Sequence, residues 1–489
     1  MFETAFAQLR YAASVIFAIP FDLRALDRLV DGVLDTHREF GMLGSDSAEF
    51  LGGPELDEES RIEIQLRRFR MQAVRAACET DFYKNHFDNL AIDPTQLKHE
   101  DIRRIPVTRK EAVRNNPDSF VRRGSSPAFR TTTTGTTGKP TSVYFTAREI
   151  QATGLLAAIT FLQSGQIGPE DIVQISTSSR ATLGNTCFSQ ACQRIGAVWY
   201  QTGLVDPAHT LLLLSEEHHL PGKKRRASFL NTYASYLGEL VECGLSSGYR
   251  PTDFGLERIS VGGEIVTAGL KDRCQKLFGP VEFIQGYAMT ETWPFSGTRC
   301  AEGHLHFEPS QGLLEVLDPD TSEPAHPGQT GTIVATPFAP YREASVVLRY
   351  DTEDVVQPIA GPLTCNLKHW PATTDLQGKL RLSVRGPDGW IYPRQIRESL
   401  ESIEEVPLPA RCGFWAVPGG VVVEILVRET NDVLHRRIGE SLEERSVPVQ
   451  ELRLVKDPSQ LQHPLPLRCD LREALFDSRS LFERPIAKL

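Results

Sequence analysis

The chain has 489 residues, of which 40% are hydrophobic and 24% charged, and its formal net charge is −10. These values exclude a disordered or collagen-like chain and are typical of a globular protein with two to four domains. The acidic balance gives no electrostatic reason to expect nucleic acid as a partner. The nine cysteines show no regular spacing, so a secreted disulfide framework is not indicated either.

Residues 1–60 are predicted to form a helical extension that ends in a loop rich in glycine, serine and acidic residues. Its apolar stretch, Tyr11–Phe21, is well short of the roughly 20 residues that span a bilayer. A signal peptide is less favoured than an amphipathic packing helix, because Arg10 alone supplies positive charge and Glu3 offsets it. The sequence therefore predicts a cytoplasmic protein without a membrane partner.

Strand-like and helical segments alternate in the middle of the chain. Short buried strands are predicted at residues 171–177, 196–201, 258–263 and 281–287. Helices are predicted at residues 61–87, 148–162, 228–241 and 267–278. The alternation predicts an α/β fold in which a largely parallel sheet is flanked by helices.

The sequence changes character after about residue 378. Strands are predicted at residues 378–386 and 420–427, and helices at 393–403 and after the second strand. We therefore expect a large N-terminal domain at 61–377 and a small α+β C-terminal domain at 378–489.

A threonine-rich segment, Thr131–Pro140, is the first strong functional signal. Its two glycines allow backbone amides to converge on an anion, its hydroxyls can donate to phosphate oxygens, and Lys139 adds charge. The spacing is not that of a Walker A loop. By itself the segment predicts an anion-binding loop, and the alternative is a threonine-rich surface turn.

Three later segments carry polar residues at the ends of predicted strands. Val261–Glu264 and Gln285–Glu291 each end a strand, and Leu348–Asp354 puts an acid after a strand. Ligands of open α/β sheets bind at the carboxyl ends of strands, so the three segments could share one cleft. Each segment alone could be an ordinary turn, but their order makes a shared site the better interpretation.

The order of these segments resembles that of the adenylate-forming superfamily, which includes acyl-CoA synthetases, adenylation domains and luciferases. The phenylacetate–CoA ligase branch is the most similar. Thr131–Pro140 resembles the motif TSGTTGKP, Tyr287–Glu291 resembles YGxTE, and Leu348–Asp354 resembles IRYRTGD. The resemblance covers residues 61–400 and fades after them.

The resemblance implies a role for each matching residue. The residues that would wrap the β- and γ-phosphates of ATP are Thr133, Thr134, Gly135, Thr136, Thr137, Gly138 and Lys139. The residues that would line the adenine are Gly262, Gly263 and Glu264, with Tyr287 stacked on the ring. Thr290 would contact the α-phosphate, Glu291 would hold Mg²⁺, and Asp354 would bind the ribose hydroxyls.

The resemblance also implies a two-step reaction. A carboxylate, expected to be aromatic, attacks the α-phosphorus of ATP and releases pyrophosphate, with Mg²⁺ neutralising charge. Coenzyme A then attacks the acyl-adenylate after a mobile C-terminal domain rotates about a hinge. The expected protein is an AMP-forming ligase and a monomer or homodimer.

A possible metal site follows two of the motifs. Two sulfurs and two imidazoles could form a closed tetrahedral zinc site, and the four candidate ligands are Cys300, His306, Cys365 and His369. Relatives of the phenylacetate branch carry a similar structural zinc clip, but Leu367 stands where their second cysteine would be. His369 or His304 would have to substitute, and the alternative is that these residues are unrelated.

Two departures from the family pattern bear on function. The hinge contains Lys379 where relatives have arginine, and it lacks the aspartate that follows. The C-terminal catalytic lysine is missing from residues 465–472, where Arg468 or Arg472 could supply the charge with different geometry.

These departures keep other functions open. One alternative retains adenylation but replaces coenzyme A with a carrier-protein thiol, an amine, or nitrite activation followed by transfer to an arylamine. Another is a degenerate nucleotide-binding scaffold or regulatory protein. The phosphate loop, Thr290, Glu291 and Asp354 favour an enzyme over the scaffold.

Overall fold

The computed structural model describes residues 2–41, 57–133, 140–359, 361–387 and 389–472. The α-helices are α1 Phe2–Phe17, α2 Leu23–Phe40, α3 Glu58–Glu79, α4 Asp81–Leu90, α5 Lys110–Asn115, α6 Ala147–Gln163, α7 Thr182–Ile195, α8 Pro207–Ser215, α9 Ala234–Ser246, α10 Ala268–Phe278, α11 Pro393–Glu401 and α12 Asp432–Glu444. The strands are β1 Pro127–Thr132, β2 Ser142–Thr146, β3 Ile172–Ser176, β4 Val198–Gln201, β5 Phe229–Tyr233, β6 Arg258–Gly262, β7 Glu282–Tyr287, β8 Gly297–Arg299, β9 Leu305–Phe307, β10 Gly312–Leu317, β11 Gly331–Pro337, β12 Tyr350–Val356, β13 Ala372–Thr373, β14 Gly378–Lys379, β15 Val384–Gly386, β16 Gly389–Ile391, β17 Cys412–Val417, β18 Gly420–Leu426 and β19 Val449–Val455.

An eight-stranded mixed sheet, ordered β13-β9-β8-β7-β6-β5-β3-β4, forms the centre of the fold. Its strands β4, β3, β5, β6 and β7 pair in parallel, and β7, β8, β9 and β13 pair antiparallel. All five residues of β3 are buried, as expected for a parallel strand covered on both faces. The predicted α/β fold with a mainly parallel sheet flanked by helices is confirmed.

The helix predicted at residues 228–241 is wrong in its first part. Residues Phe229–Tyr233 form strand β5, and helix α9 begins only at Ala234. The strand lies between β3 and β6, and Ser228 donates a 2.7 Å hydrogen bond to Asp171 at the start of β3. Pairing with these distant strands overrides the local preference for helix.

The helix predicted at residues 61–87 is divided in two by Thr80. The backbone of Thr80 is extended, and its hydroxyl accepts a hydrogen bond from the Tyr83 amide at 3.3 Å. The same hydroxyl donates to the carbonyl of Ala76 at 2.7 Å. Thr80 therefore ends α3 and caps α4, which is the usual role of threonine at a helix start.

The first two helices pack on the flank of the sheet. Val30 and Leu34 of α2 join the core around Ala158 and Leu162 of α6. Helix α1 buries small residues instead, and its Phe2 side chain is 95% exposed. Among the described helices, none combines the length and apolar character that crossing a membrane requires.

Four smaller sheets accompany the central sheet in the described residues. One has the order β10-β11-β12-β14, one near the C-terminus has the order β17-β18-β19, and the pairs β1-β2 and β15-β16 are two-stranded. Asp354 lies inside β12 and not after it, which corrects the sequence-based expectation. The single strand predicted at residues 378–386 is two short strands separated by a 3₁₀ turn at Leu380–Leu382. The domain boundary at 378 stays a prediction.

Helices α10 and α11 approach closely where the central sheet meets the C-terminal part of the chain. A Cβ atom added at Gly269 of α10 would lie 2.2 Å from the carbonyl oxygen of Glu401. The adjacent Ala268 amide donates to Glu398 at 3.0 Å, and Arg273 donates to the Val406 carbonyl at 2.7 Å. Backbone-to-backbone packing at Gly269 therefore fixes how these two helices fit together.

We expect Gly269→Ala to lower stability by about 1–3 kcal/mol, because the new methyl group must displace backbone of α11. The matched control is Gly439→Ala in α12, where a Cβ atom would meet no other atom within 4 Å. That substitution should stabilise the protein by about 0.5–1 kcal/mol by reducing backbone freedom. Urea unfolding of both variants tests the contact, and equal stabilisation by the two alanines would contradict it.

Candidate active site

A cavity of about 390 Å³ opens at the carboxyl ends of the parallel strands. Tyr233 at the end of β5, Gly263 after β6 and Tyr287 at the end of β7 line one side of it. Asp354 of β12 and Lys379 of β14 bring the second sheet to the same cavity. The position is the usual ligand site of an open α/β sheet.

Glu291 is a buried carboxylate in this cavity, with only 1% of the residue exposed. Its Oε1 accepts a 3.1 Å hydrogen bond from the Tyr350 hydroxyl and lies 3.5 Å from the Lys110 ammonium. Its Oε2 is buried and has no hydrogen-bond partner among the described residues. Burial, together with the charge of Glu291, holds the pKa of Tyr350 well above its usual value, so the tyrosine remains a donor. Such a carboxylate can bind a hard cation with its remaining oxygen.

Asp354 is fixed by a second tyrosine. Its Oδ2 accepts hydrogen bonds from the Tyr287 hydroxyl at 2.9 Å and from the Lys379 ammonium at 2.7 Å. Lys379 also donates to the Thr352 carbonyl at 2.7 Å. The Tyr287 ring lies edge-on to Phe307 at 6.0 Å, and burial and then Asp354 raise the pKa of Tyr287 well above its usual value. Tyr287 and Asp354 therefore act as one hydrogen-bonded unit.

The segment after β6 contacts the C-terminal part of the chain. Glu264 accepts hydrogen bonds from the amide and hydroxyl of Ser235 at 2.8 and 2.7 Å, and from the Arg468 amide at 2.8 Å. The Arg468 guanidinium donates to the Gly263 carbonyl at 2.9 Å and lies 5.1 Å from the centre of the Tyr233 ring. Gly263 has a φ of 74°, and a Cβ atom there would lie 2.9 Å from Arg468 Nε. Glycine is needed for both reasons.

The two candidate arginines differ in position. Arg468 lines the cavity, whereas Arg472 forms an ion pair with Glu239 and, within the described part of the chain, is not among the cavity-lining residues. Gly262 likewise does not line it, although its neighbours Gly263 and Glu264 do. The structure therefore brings only Arg468 of the pair to the site.

Only the start of the phosphate loop falls within the described residues. Thr133 lines the cavity, and its hydroxyl accepts a 3.1 Å hydrogen bond from the Thr141 amide. Thr290 lines the cavity between Tyr287 and Glu291. The remaining predicted loop residues, namely Thr134, Gly135, Thr136, Thr137, Gly138 and Lys139, lie outside the described residues.

Sequence reasoning did not assign Tyr350, Lys110 or Arg114 to the site. A bridge between Thr108 and Tyr350 places α5, which begins at Lys110, beside β12. These residues are far apart in the chain, so no local pattern indicates the contact between them. Two signals draw attention to Lys110 without giving it a role: lysine is scarce in this chain, and the segment Ile105–Lys110 resembles an upstream motif of the same family.

Four candidate metal ligands converge next to the turn between β8 and β9. The ligand atoms of Cys300, His304 and His306 all lie within 4.8 Å of one another. Cys365 Sγ lies 3.3 Å from His306 Nε2. The geometry therefore brings His304, the alternative ligand, to Cys300 and His306.

The protonation of these groups follows from their burial. Burial, and then the neighbouring Cys300, raise the pKa of the Cys365 thiol. Burial lowers the pKa of His306, which keeps the imidazole neutral and its lone pair available. Two cysteines and two histidines in one cluster fit the donor set of a structural zinc site, whose charge would favour the thiolates.

Comparison with known proteins agrees with this geometry. Residues 81–337 match the AMP-binding enzyme family. A phenylacetate–coenzyme A ligase of Thermus thermophilus is 25% identical over 368 residues, which are 72% of this chain and 78% of that protein. One from Escherichia coli is 21% identical over 373 residues, covering 70% of this chain and 76% of that protein.

A solved structure of 2-hydroxyisobutyryl-CoA ligase in the postadenylation state has the same fold. Its TM-score is 0.69 at 19% identity, with 84% of this chain and 88% of that chain covered. The family match extends over more than half of the chain. The chain belongs to the AMP-binding enzyme family, as an adenylate-forming ligase related to phenylacetate–CoA ligases.

Proposed function

We propose that this ligase uses ATP to adenylate a carboxylic acid, with an aromatic acid as the substrate class, and transfers the acyl group to coenzyme A. One observation carries the proposal. Two carboxylates, Glu291 and Asp354, face one cavity and each accepts a hydrogen bond from a buried tyrosine. Relatives that are named phenylacetate–coenzyme A ligases support the acid and the acceptor.

In the first step an oxygen of the substrate carboxylate attacks the α-phosphorus of ATP. A new P–O bond forms, the bond to the bridging oxygen breaks, and its electron pair leaves with pyrophosphate, so no proton is transferred. In the second step the sulfur of coenzyme A, after losing its proton, attacks the acyl carbon and AMP leaves. The protein's contribution to both steps is orientation and charge stabilisation.

The proposed roles follow the geometry of the cavity. Glu291, whose Oε2 accepts no hydrogen bond from the described residues, would hold Mg²⁺, and the ion would supply charge neutralisation on the phosphates. Asp354 orients the ribose through the carboxylate that Tyr287 fixes. Thr290 and Thr133 would contact the phosphates, and Gly263 and Glu264 would border the adenine.

A different acceptor is the second candidate. Residues 223–226 form a basic run that could contact a phosphate of coenzyme A, but Lys224 is paired with Asp171 at 2.7 Å and Glu257 at 2.8 Å, and Arg226 with Glu217 at 2.7 Å. The missing C-terminal lysine also separates this chain from plain acid–CoA ligases. These observations favour testing a carrier-protein thiol, an amine and nitrite beside coenzyme A.

A structural zinc ion is proposed for the cluster of Cys300, His304, His306 and Cys365. It would join the turn between β8 and β9 to the loop that precedes β13. The role is structural, because the cluster has no position left open for a substrate once four protein ligands are bound.

Purified protein incubated with ATP and a panel of aryl acids should release AMP and pyrophosphate only with its true substrate. Parallel reactions with coenzyme A, a carrier-protein thiol, amines or nitrite identify the acceptor by the product formed. No release above background with any acid or with nitrite would contradict adenylation. If AMP and pyrophosphate are released in the coenzyme A reaction but no thioester forms, coenzyme A is not the acceptor, and the adenylation step is not contradicted.

Glu291→Gln should lower AMP formation at least about 100-fold, because the amide cannot supply the negative charge that holds the metal. The control is Glu282→Gln at the opposite end of β7, where the carboxylate side chain is 68% exposed. That variant should keep its activity. Turnover of the Glu291 variant within a few-fold of the unmodified protein would refute the assigned role.

Arg468→Ala should lower AMP formation by about 100-fold, or roughly 2.7 kcal/mol of transition-state stabilisation. The control variant Arg472→Ala should change the rate of AMP formation less than about twofold, because the Arg472 side chain pairs with Glu239 away from the cavity. If both variants keep the full rate, neither arginine replaces the missing lysine.

The purified protein should contain about one zinc ion per chain, measured by elemental analysis. Cys365→Ser and His304→Ala should each lose zinc and lower the unfolding temperature, since metal binding is part of the folding free energy. His369→Ala is the matched control and should retain zinc. Zinc loss in the His369 variant alone would restore that residue as the fourth ligand.

A further inference from the structure

Helix α5 presents two cations to the cavity that the proposed function leaves without a role. Lys110 and Arg114 are four residues apart, so they lie on the same face of the helix. Both line the cavity, and their side chains are only 15% and 21% exposed. Long cationic side chains rarely lie this deep without an anionic partner.

The charges around this pair do not balance. Lys110 is 3.5 Å from Glu291, its only ion-pair partner in the described ranges. Arg114 is 4.0 Å from Glu111, whose side chain is 63% exposed, so that pair contributes little. Arg114 Nε is buried and, among the residues that the structure describes, donates to no hydrogen-bond acceptor. A buried donor without a partner is costly, and an anion in the cavity would satisfy it.

The fold holds this face in place. The Thr108 amide donates to the Arg349 carbonyl at 2.9 Å, and the Asp351 amide donates to the Thr108 carbonyl at 3.0 Å. Val113, between the two cations in sequence, is buried in the core that includes Tyr350. The helix is therefore fixed against β12, and the cations cannot easily move out to solvent.

The same cavity contains the start of the phosphate loop, since Thr131, Thr132 and Thr133 all line it. Threonine hydroxyls and backbone amides are neutral donors, whereas the phosphate tail of ATP carries several negative charges. A lysine and an arginine beside neutral donors match that ligand, and the guanidinium fork suits two phosphate oxygens at once.

We propose that Lys110 and Arg114 bind the phosphate tail of ATP and remain in contact with the departing pyrophosphate. The proposal rests on the proposed function, because it needs ATP in this cavity. It adds a set of ligands that lies on α5, outside the threonine-rich loop. The pair discriminates ATP from AMP, because AMP lacks the β- and γ-phosphates that the two side chains contact.

Equilibrium binding by calorimetry, with no acid substrate present, tests the pair without turnover. The full-length protein and the variants Lys110→Met and Arg114→Met are titrated with ATP, AMP and pyrophosphate. Each variant should bind ATP and pyrophosphate at least tenfold more weakly, while AMP affinity changes less than twofold. Lys110→Arg should recover most of the ATP affinity, because the charge is restored.

Lys84→Met is the matched control, since Lys84 is exposed on α4 and does not line the cavity. Thermal unfolding checks that each variant folds. If Lys110→Met does not fold because Glu291 loses its cation, Arg114→Met decides the question, as its present ion pair is with an exposed residue.

Unchanged ATP affinity in the folded variants, or equal weakening of ATP and AMP, would overturn the proposal while leaving adenylation intact. Failure of the unmodified protein to bind ATP at all would instead overturn the proposed function, and the inference with it.

Discussion

A carboxylate is stable in a protein interior only when donors and cations surround it, and the cavity of this enzyme is arranged around two such groups. Glu291 and Asp354 each accept a hydrogen bond from a buried tyrosine, and each lies beside a lysine. The tyrosines come from opposite sheets: Tyr350 on β12 reaches Glu291, and Tyr287 on β7 reaches Asp354. These two hydrogen bonds join the two sheets at the cavity, so the same contacts hold the cavity wall together and position its two carboxylates.

The parts of this arrangement that short motifs encode could be predicted from the sequence. The ends of β6 and β7 carry Glu264 and Glu291 in recognisable order, and the α/β alternation follows from local patterns. Two features could not be predicted, because each depends on residues far apart in the chain. Strand β5 is fixed by pairing with β3 and β6, and Lys110 reaches Glu291 through the bridge of Thr108 with Tyr350.

The C-terminal part of the chain participates directly in the cavity. Glu264 links the end of β6 to the Arg468 amide while it also accepts two hydrogen bonds from Ser235. Gly263 permits the close approach of the Arg468 side chain. These contacts hold the segment around Arg468 at the cavity.

The contact between Lys379 and Asp354 has a thermodynamic consequence. Lys379 lies on β14, at the point where the chain passes into its C-terminal part, and its ammonium contacts the carboxylate proposed to hold the ribose. If a bound nucleotide changes the strength of that ion pair by some factor, linkage requires that breaking the pair change nucleotide affinity by the same factor. A rearrangement of the chain at Lys379 would then change nucleotide affinity, and nucleotide binding would change the ease of that rearrangement, even though no described residue of the sheet β17-β18-β19 lines the cavity.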